Sequence, residues 1–196
     1  MHAQNYDYFG GEIRILDICY GLGYNTLCAV LNKPENVKLK IFSPEIDKNL
    51  VKSLKHFPYP KKFEKLQKII DAISEKFYYK DDEVEIEVFI GDAREYIKKL
   101  DKIDIVYQDA FSPKVNNELW SMEFFKNITQ ILQKNGIITT YSVATPVRCA
   151  FYKLGMNIYT HTFDNIRKGT IASFVTTPFE KVDFEEKLKR VECKTY

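Results

Sequence analysis

Short apolar runs along the chain alternate with segments whose apolar residues recur every three to four positions. Ile13-Arg14-Ile15-Leu16-Asp17-Ile18 is a compact apolar run closed by Gly21 and Gly23, the pattern of a buried strand. Residues 25–31 follow as a helix, with Asn25 suited to its N-cap. The same reading predicts a strand over 38–43, a helix over 47–54 and a longer helix over 61–77. In that longer helix Phe63, Leu66, Ile70, Ile73 and Phe77 share one face. Val84 to Ile90 alternates and is rich in β-branched residues, hence a third strand. A helix over 93–100, a strand over 103–108 and a helix over 118–132 come next, with Asn135-Gly136 as the stop signal of the last. A strand over 137–141 and a helix over 146–154, with Pro146 in its first turn, precede two strands over 157–162 and 170–176.

Strand and helix thus alternate five times before two strands come together. This order predicts an α/β fold: a mostly parallel seven-stranded sheet with helices on both faces and a C-terminal antiparallel hairpin. With 196 residues, 45% of them hydrophobic, the chain is expected to form a single domain over 1–196. There is no internal repeat. Lys+Arg of 29 against Asp+Glu of 27 gives a net charge of +2, so only a local patch can mark a nucleic-acid partner. Such a patch exists in a basic helical insert at about 51–80, which has eight Lys against Glu64, Asp71 and Glu75. Phe57, Tyr59, Tyr78 and Tyr79 are interleaved with the lysines. A solvated lysine-rich helix face produces the same pattern. The cysteines, Cys19, Cys28, Cys149 and Cys193, form no C-x-x-C pair and have no His at ligand spacing, so neither a metal nor a disulfide framework is expected. No apolar run is long enough for a membrane span and no signal peptide opens the chain, so reduced thiols and a cytoplasmic location are expected.

In open α/β sheets, ligands gather beyond the carboxyl ends of the strands. The first such loop reads Asp17-Ile18-Cys19-Tyr20-Gly21-Leu22-Gly23-Tyr24-Asn25. Two glycines two apart allow a sharp turn and close backbone approach to a ligand, although a tight strand-to-helix turn asks for no more. The third glycine of a dinucleotide fingerprint and the G-K-[ST] of a phosphate loop are both missing. Glu45 lies 22 residues beyond Gly23, near the offset at which an acid meets a ribose diol; the alternative is that it caps the next helix, as Asp47 also can. Asp92, in Gly91-Asp92-Ala93-Arg94, either accepts from an adenine amino group or serves as an N-cap. Asp109-Ala110-Phe111-Ser112-Pro113 adds a carboxylate, an aromatic ring and a rigid turn after the fourth strand. Together these loops suit S-adenosylmethionine better than a dinucleotide, because no phosphate has to be cradled.

Several blocks resemble the MnmC methyltransferase domain and its stand-alone relatives. They are Asp17-x-x-x-Gly21-x-Gly23-x-Asn25, Gly91-Asp92-Ala93-Arg94 and, most specific, Asp109-x-Phe111-x-Pro113 followed by Asn117-x-x-Trp120. Thr140-Tyr141-Ser142, Val147-Arg148 and Arg167-Lys168 continue the likeness, which covers roughly Arg14 to Thr176. The chain departs from the pattern in having few residues ahead of the first strand and no glycine before the Asn165-Ile166-Arg167-Lys168 segment. The resemblance implies a Rossmann-like class I methyltransferase fold and S-adenosylmethionine-dependent methylation of the primary amine of 5-aminomethyl-(2-thio)uridine in tRNA. The strand-end loops and the resemblance together give expected cofactor-binding roles to Asp17, Gly21, Gly23, Asn25, Glu45, Asp92, Ala93 and Asp109, that of Glu45 resting on its offset alone. Asp109 is the expected catalytic group, and Phe111, Pro113, Arg148, Arg167 and Lys168 are the expected substrate contacts. Trp120 is expected to pack inside. No second cofactor loop for FAD occurs, so no oxidase step is expected. The competing readings are a same-fold methyltransferase or aminopropyl transferase acting on a small amine, and a non-catalytic cofactor- or RNA-binding module. The sequence leaves the oligomeric state open.

Overall fold

The computed structural model of the chain describes residues 11–161 and 167–196. The chain divides into two compact units, Met1–Tyr96 and Ile97–Tyr196. The first holds β1 (Glu12–Ile18), α1 (Tyr24–Leu31), β2 (Lys38–Glu45) and α2 (Lys48–Ser53). Two 3-10 turns, Leu54–His56 and Lys61–Leu66, lead to α3 (Gln67–Lys76), β3 (Tyr78–Lys80), β4 (Val84–Ile90) and α4 (Ala93–Tyr96). Its strand order is β3-β4-β2-β1, with β1, β2 and β4 parallel and β3 antiparallel along the outer side of β4. Ile15, Ile41 and Ile86 stand in register across the three parallel strands, and all are buried. Each contributes roughly 1.5–3 kcal/mol through burial. Leu16, Asp17 and Ile18 are consecutive and all buried; neighbouring strand residues point to opposite faces, so β1 is covered on both.

The second unit holds a 3-10 turn (Ile97–Lys99), β5 (Ile103–Gln108), a second such turn (Asn117–Trp120), α5 (Met122–Ile131) and β6 (Leu132–Thr140). It continues with α6 (Thr145–Lys153), β7 (Asn157–Thr160), β8 (Thr170–Ser173), β9 (Glu180–Lys181) and α7 (Phe184–Leu188). Strand order is β5-β6-β8-β7-β9; β5 and β6 are parallel and the other pairs antiparallel. Trp120, Phe125 and Phe151 fill the core, with ring centroids 6.3 Å apart for the first pair and 4.7 Å for the second. The fold is the expected Rossmann-like α/β class, including the antiparallel pair of β7 and β8.

The differences have local causes. Nine strands replace the expected seven among the described residues, because β3 and β9, of three and two residues, are too short to carry a pattern. β3 also ends the basic insert as a strand. The helix expected over 61–77 opens as 3-10 turns, directly after Pro58 and Pro60, and becomes α-helical only at Gln67. The helix expected to stop at Asn135-Gly136 ends at Ile131, where Leu132 already pairs with Ile103. The β5–β6 register then shifts between Ile103 and Ile105. At Gly136 a Cβ would stand 2.9 Å from the carbonyl oxygens of Asp104 and Gln133, so this glycine serves a close backbone approach and not a helix stop. Cys149 and Cys193, with Cα atoms 5.4 Å apart, form a disulfide where reduced thiols were expected; 44 residues separate them, and only folding brings them together. The end of the strand expected over 157–162 lies outside the described residues, as do Asn165 and Ile166.

Gly136→Ala should destabilise the protein by about 1–3 kcal/mol through this overpacking. In a chain of this size the melting temperature should fall by roughly 2–10 °C. An unchanged melting curve would mean that the backbone around Gly136 has room for a side chain.

Candidate active site

In the first unit, the carboxyl ends of the three parallel strands converge on Glu45. The Tyr20 N–H donates to the Pro44 carbonyl at 3.2 Å and the Gly91 N–H to the Glu45 carbonyl at 2.9 Å, joining the loops after β1 and β4 to the end of β2. The Glu45 side chain, 9% exposed, accepts from the Gly21 N–H through Oε2 and from the Asp47 N–H through Oε1, both at 2.9 Å. Capping of α2 falls to Asp47, whose Oδ1 accepts from the Asn49 and Leu50 N–H groups. Each Glu45 oxygen therefore keeps a second lone pair on a carboxylate already aimed at the glycine loop.

Asp17 supports that loop from beneath. It is fully buried, and its carboxylate accepts from Asn25 Nδ2 at 3.2 Å and from the Thr26 hydroxyl at 2.8 Å. Asn25 is thus not the N-cap it was expected to be. Gly23 takes that position in a left-handed conformation, φ 72°, and frees the amide of Asn25 to reach Asp17. A Cβ at Gly23 would lie 2.7 Å from the Tyr20 hydroxyl, so the backbone is packed directly on that ring. Burial, followed by Tyr59 and Asp17, pushes the Tyr20 phenol well above its usual range. Beyond β4, Asp92 caps α4 by accepting from the Arg94 N–H at 2.8 Å, and the Arg94 guanidinium grips the same carboxylate at 2.6–3.1 Å. The capping alternative for Asp92 is therefore realised. Ala93 is buried at the start of the helix.

In the second unit the loop after β5 is braced at three carbonyls. The Tyr141 hydroxyl donates to Ala110 O at 3.0 Å, the Trp120 indole N–H to Phe111 O at 2.7 Å, and Gln108 Nε2 to Leu119 O at 2.8 Å. The Trp120 and Tyr141 rings meet edge to face with centroids 5.8 Å apart. Asp109 is exposed on this loop, Phe111 is 74% exposed, and Pro113 is half-buried. The Tyr141 phenol sits above its usual range, first through partial burial and then through the negative charge of Asp109, while Arg167 opposes the shift. Asp109, Tyr141 and Arg167 thus share one electrostatic neighbourhood. Arg167 and Lys168 are exposed, whereas Arg148 is 9% exposed. Arg148 donates to the Thr170 hydroxyl at 2.9 Å and to the Gly169 carbonyl at 3.4 Å. Burial lowers its pKa. Its guanidinium ties α6 to Gly169 and Thr170 at the start of β8, the residues that directly follow Lys168.

Sequence reasoning missed the parts played by Thr26, Gln108 and Tyr141. Only the Tyr141 block carried a signal, through the family likeness. Among the described residues no group of three or more His, Cys, Asp or Glu is arranged to hold a metal ion. No described helix is long and apolar enough to cross a membrane.

Tyr141→Phe removes one brace at the cost of about 1 kcal/mol. Trp120→Phe removes another and opens a cavity, which should raise the loss to about 2–4 kcal/mol. Because the two residues hold successive carbonyls, the double variant should lose less than the sum. A double-mutant cycle by denaturant melting checks this, and strict additivity would mean that the braces act independently.

A family model described as an S-adenosyl-L-methionine-dependent methyltransferase matches residues 44–174, more than half of the chain. The uncharacterized protein MJ0670 of Methanocaldococcus jannaschii is 31% identical over 185 residues, 91% of this chain and 51% of that protein. The tRNA 5-methylaminomethyl-2-thiouridine biosynthesis bifunctional protein MnmC of Pseudomonas fluorescens is 27% identical over 152 residues, 71% of this chain and 23% of that protein. The crystal structure of MNMC2 from Aquifex aeolicus superposes with a TM-score of 0.77 at 31% identity, covering 91% of this chain and 58% of that one. The chain spans about half the length of the Methanocaldococcus relative and less of the bifunctional protein. By this match and by its fold, the chain belongs to the S-adenosyl-L-methionine-dependent methyltransferase family and is an MnmC-like methyltransferase domain.

Proposed function

We propose that the chain methylates the primary amine of 5-aminomethyl-(2-thio)uridine at the wobble position of tRNA, giving the 5-methylaminomethyl form, in the cytoplasm. The observation that carries this reading is the loop after β5, which presents Asp109 and Phe111 to solvent while Tyr141 and Trp120 hold its backbone. A loop so held keeps a carboxylate and an aromatic face at a fixed separation, which suits a base that carries an amine. The name of the Pseudomonas relative supports the substrate class.

S-adenosylmethionine, when bound, supplies a methyl group already activated on a sulfonium. The residues of the first unit fit its adenosyl part. Glu45 offers one lone pair on each oxygen to the two ribose hydroxyls. Gly21 and Gly23 allow the backbone to approach, Asp17 and Asn25 keep the loop in shape, and Asp92 with Ala93 borders the adenine. An alkylammonium has a pKa near ~10 and no lone pair. Asp109 binds it, orients it and takes up the proton that the amine must lose, a service worth roughly 10²–10⁴ in rate. Phe111 stacks on the uracil ring and Pro113 stiffens the turn. Arg167 and Lys168 meet phosphate, with Arg148 holding the residues that directly follow them. Lys61, Lys62, Lys65 and Lys68, all exposed on the insert, add further phosphate contacts.

Asp109→Asn should leave melting temperature and most cofactor affinity unchanged and lower single-turnover methylation by about 10²–10⁴. Mass spectrometry of tRNA bearing aminomethyl-uridine reads the product, and a wild-type rate would remove Asp109 from the chemistry. Replacing Lys61, Lys62, Lys65 and Lys68 together by Gln should weaken tRNA binding and reduce the slope of log affinity against log salt by up to about 3. An unchanged slope would show the insert to be a solvated face only.

A further inference from the structure

Three aromatic residues of the insert, Phe57, Tyr59 and Phe63, pack against Tyr24 at the end of the glycine loop. The Tyr59 hydroxyl donates to the Leu22 carbonyl at 2.7 Å. Leu22 lies between Gly21 and Gly23, whose φ values of 54° and 72° place both in the left-handed region. Within the loop the Gly23 N–H closes the turn onto the Tyr20 carbonyl at 2.7 Å, while the carbonyl of the same peptide, that of Leu22, accepts its hydrogen bond from outside the loop. Tyr59 is itself stiffly mounted. Pro58 and Pro60 flank it, the Tyr59 N–H donates to the Phe57 carbonyl at 2.8 Å, and Pro60 is extended (φ −54°, ψ 147°). Tyr24, the first residue of α1, meets three rings of the insert edge to face, with centroid distances of 6.4 Å to Phe57, 5.8 Å to Tyr59 and 5.5 Å to Phe63. Phe57 and Tyr59 are 4.8 Å apart.

We infer that Tyr59 is a positioning residue for the cofactor: its hydroxyl holds the Leu22 carbonyl and thereby sets how the glycine loop meets the adenosyl group. The inference rests on the reading that this loop, with Glu45, is the cofactor's seat. It separates two duties within one insert. The exposed lysines face outward, and among the described residues of the insert the Tyr59 hydroxyl alone reaches the loop's backbone. Partial burial, then Tyr24, pushes the Tyr59 phenol up to about 12, so it remains a proton donor throughout the neutral range. A neutral hydrogen bond of this kind corresponds to roughly five- to tenfold in an equilibrium constant.

The test titrates the full chain with S-adenosylhomocysteine by calorimetry in four forms: wild type, Tyr59→Phe, Phe57→Leu and Glu45→Ala. Tyr59→Phe keeps the ring and its packing and removes only the hydroxyl. It should bind about five- to tenfold more weakly and lower the melting temperature by no more than roughly 2–4 °C. In turnover it should raise the cofactor KM by the same factor and leave kcat and the tRNA KM within about twofold. Phe57→Leu loosens the ring cluster but keeps the hydroxyl; it should lower the melting temperature and leave affinity within about twofold. Tyr59→Phe binding at wild-type affinity while Glu45→Ala binds weakly would overturn the inference and leave the cofactor seat standing. Wild-type affinity in Glu45→Ala would instead remove the seat, and the inference with it. Equal weakening in Phe57→Leu and Tyr59→Phe would assign the effect to insert stability, and so also overturn the role given to the hydroxyl.

Discussion

A carboxylate at the carboxyl end of a buried parallel strand faces two demands. It must be satisfied away from bulk water, and it is surrounded by backbone N–H groups of neighbouring loops that also need acceptors. Glu45 resolves both at once. Its side chain accepts from Gly21 and Asp47, and its main-chain carbonyl accepts from Gly91. The loops after β1 and β4 are thereby tied to the end of β2. Asp17 completes the arrangement from below by holding Asn25 and Thr26. Removing Asp17 would leave the Thr26 hydroxyl unpaired in a buried place, which costs more than the net worth of the hydrogen bond lost. In this unit, the glycine loop and the proposed cofactor seat are held by the same carboxylates.

The second unit solves a different problem, how to hold an exposed loop still. Asp109 and Phe111 cannot be fixed by burial of their own side chains, since both face solvent. The loop is fixed through its backbone instead. Tyr141 and Trp120 reach two successive carbonyls, and Gln108 reaches the carbonyl of Leu119 at the turn where Trp120 enters the core. A fully buried tryptophan is a good anchor for this purpose, because its ring is locked by packing while its single donor remains directional. Packing inside, the role expected of Trp120, is therefore joined to a hydrogen bond at the exposed loop. Arg148 works the same way for Gly169 and Thr170.

Much of this was legible in the chain. Short β-branched or apolar-rich stretches with glycines or acids behind them mark β1, β2, β4 and β5, because a strand with a buried face needs apolar side chains at that face. Asp92 and Asp109 lie in the loops expected to carry them, whereas Asp17 and Glu45 fall within the carboxyl ends of β1 and β2 themselves. The family block around Phe111, Pro113 and Trp120 pointed to the methyltransferase family, to which the chain belongs. What failed were local signals that have two uses. Asn25 has the chemistry of an N-cap and is used instead to hold Asp17. Asn135-Gly136 has the form of a helix stop, but the glycine is needed where the β5 backbone comes within 2.9 Å of its Cβ position.

The sequence by itself determined the periodicities, and with them the order and type of the elements long enough to show one; it also determined which acids stand at the carboxyl ends of which strands. These are properties of neighbours along the chain. Tertiary structure alone decided the partners: Tyr59 with Leu22 across 37 residues, Tyr141 with Ala110 across 31, Cys149 with Cys193 across 44. A hydroxyl or thiol has no preferred partner until folding brings one within reach, and periodicity contains no record of that distance. The same holds for exposure. Nothing in the spacing of Arg148 and Arg167 distinguishes them, yet packing buries the first behind β8 and leaves the second in solvent.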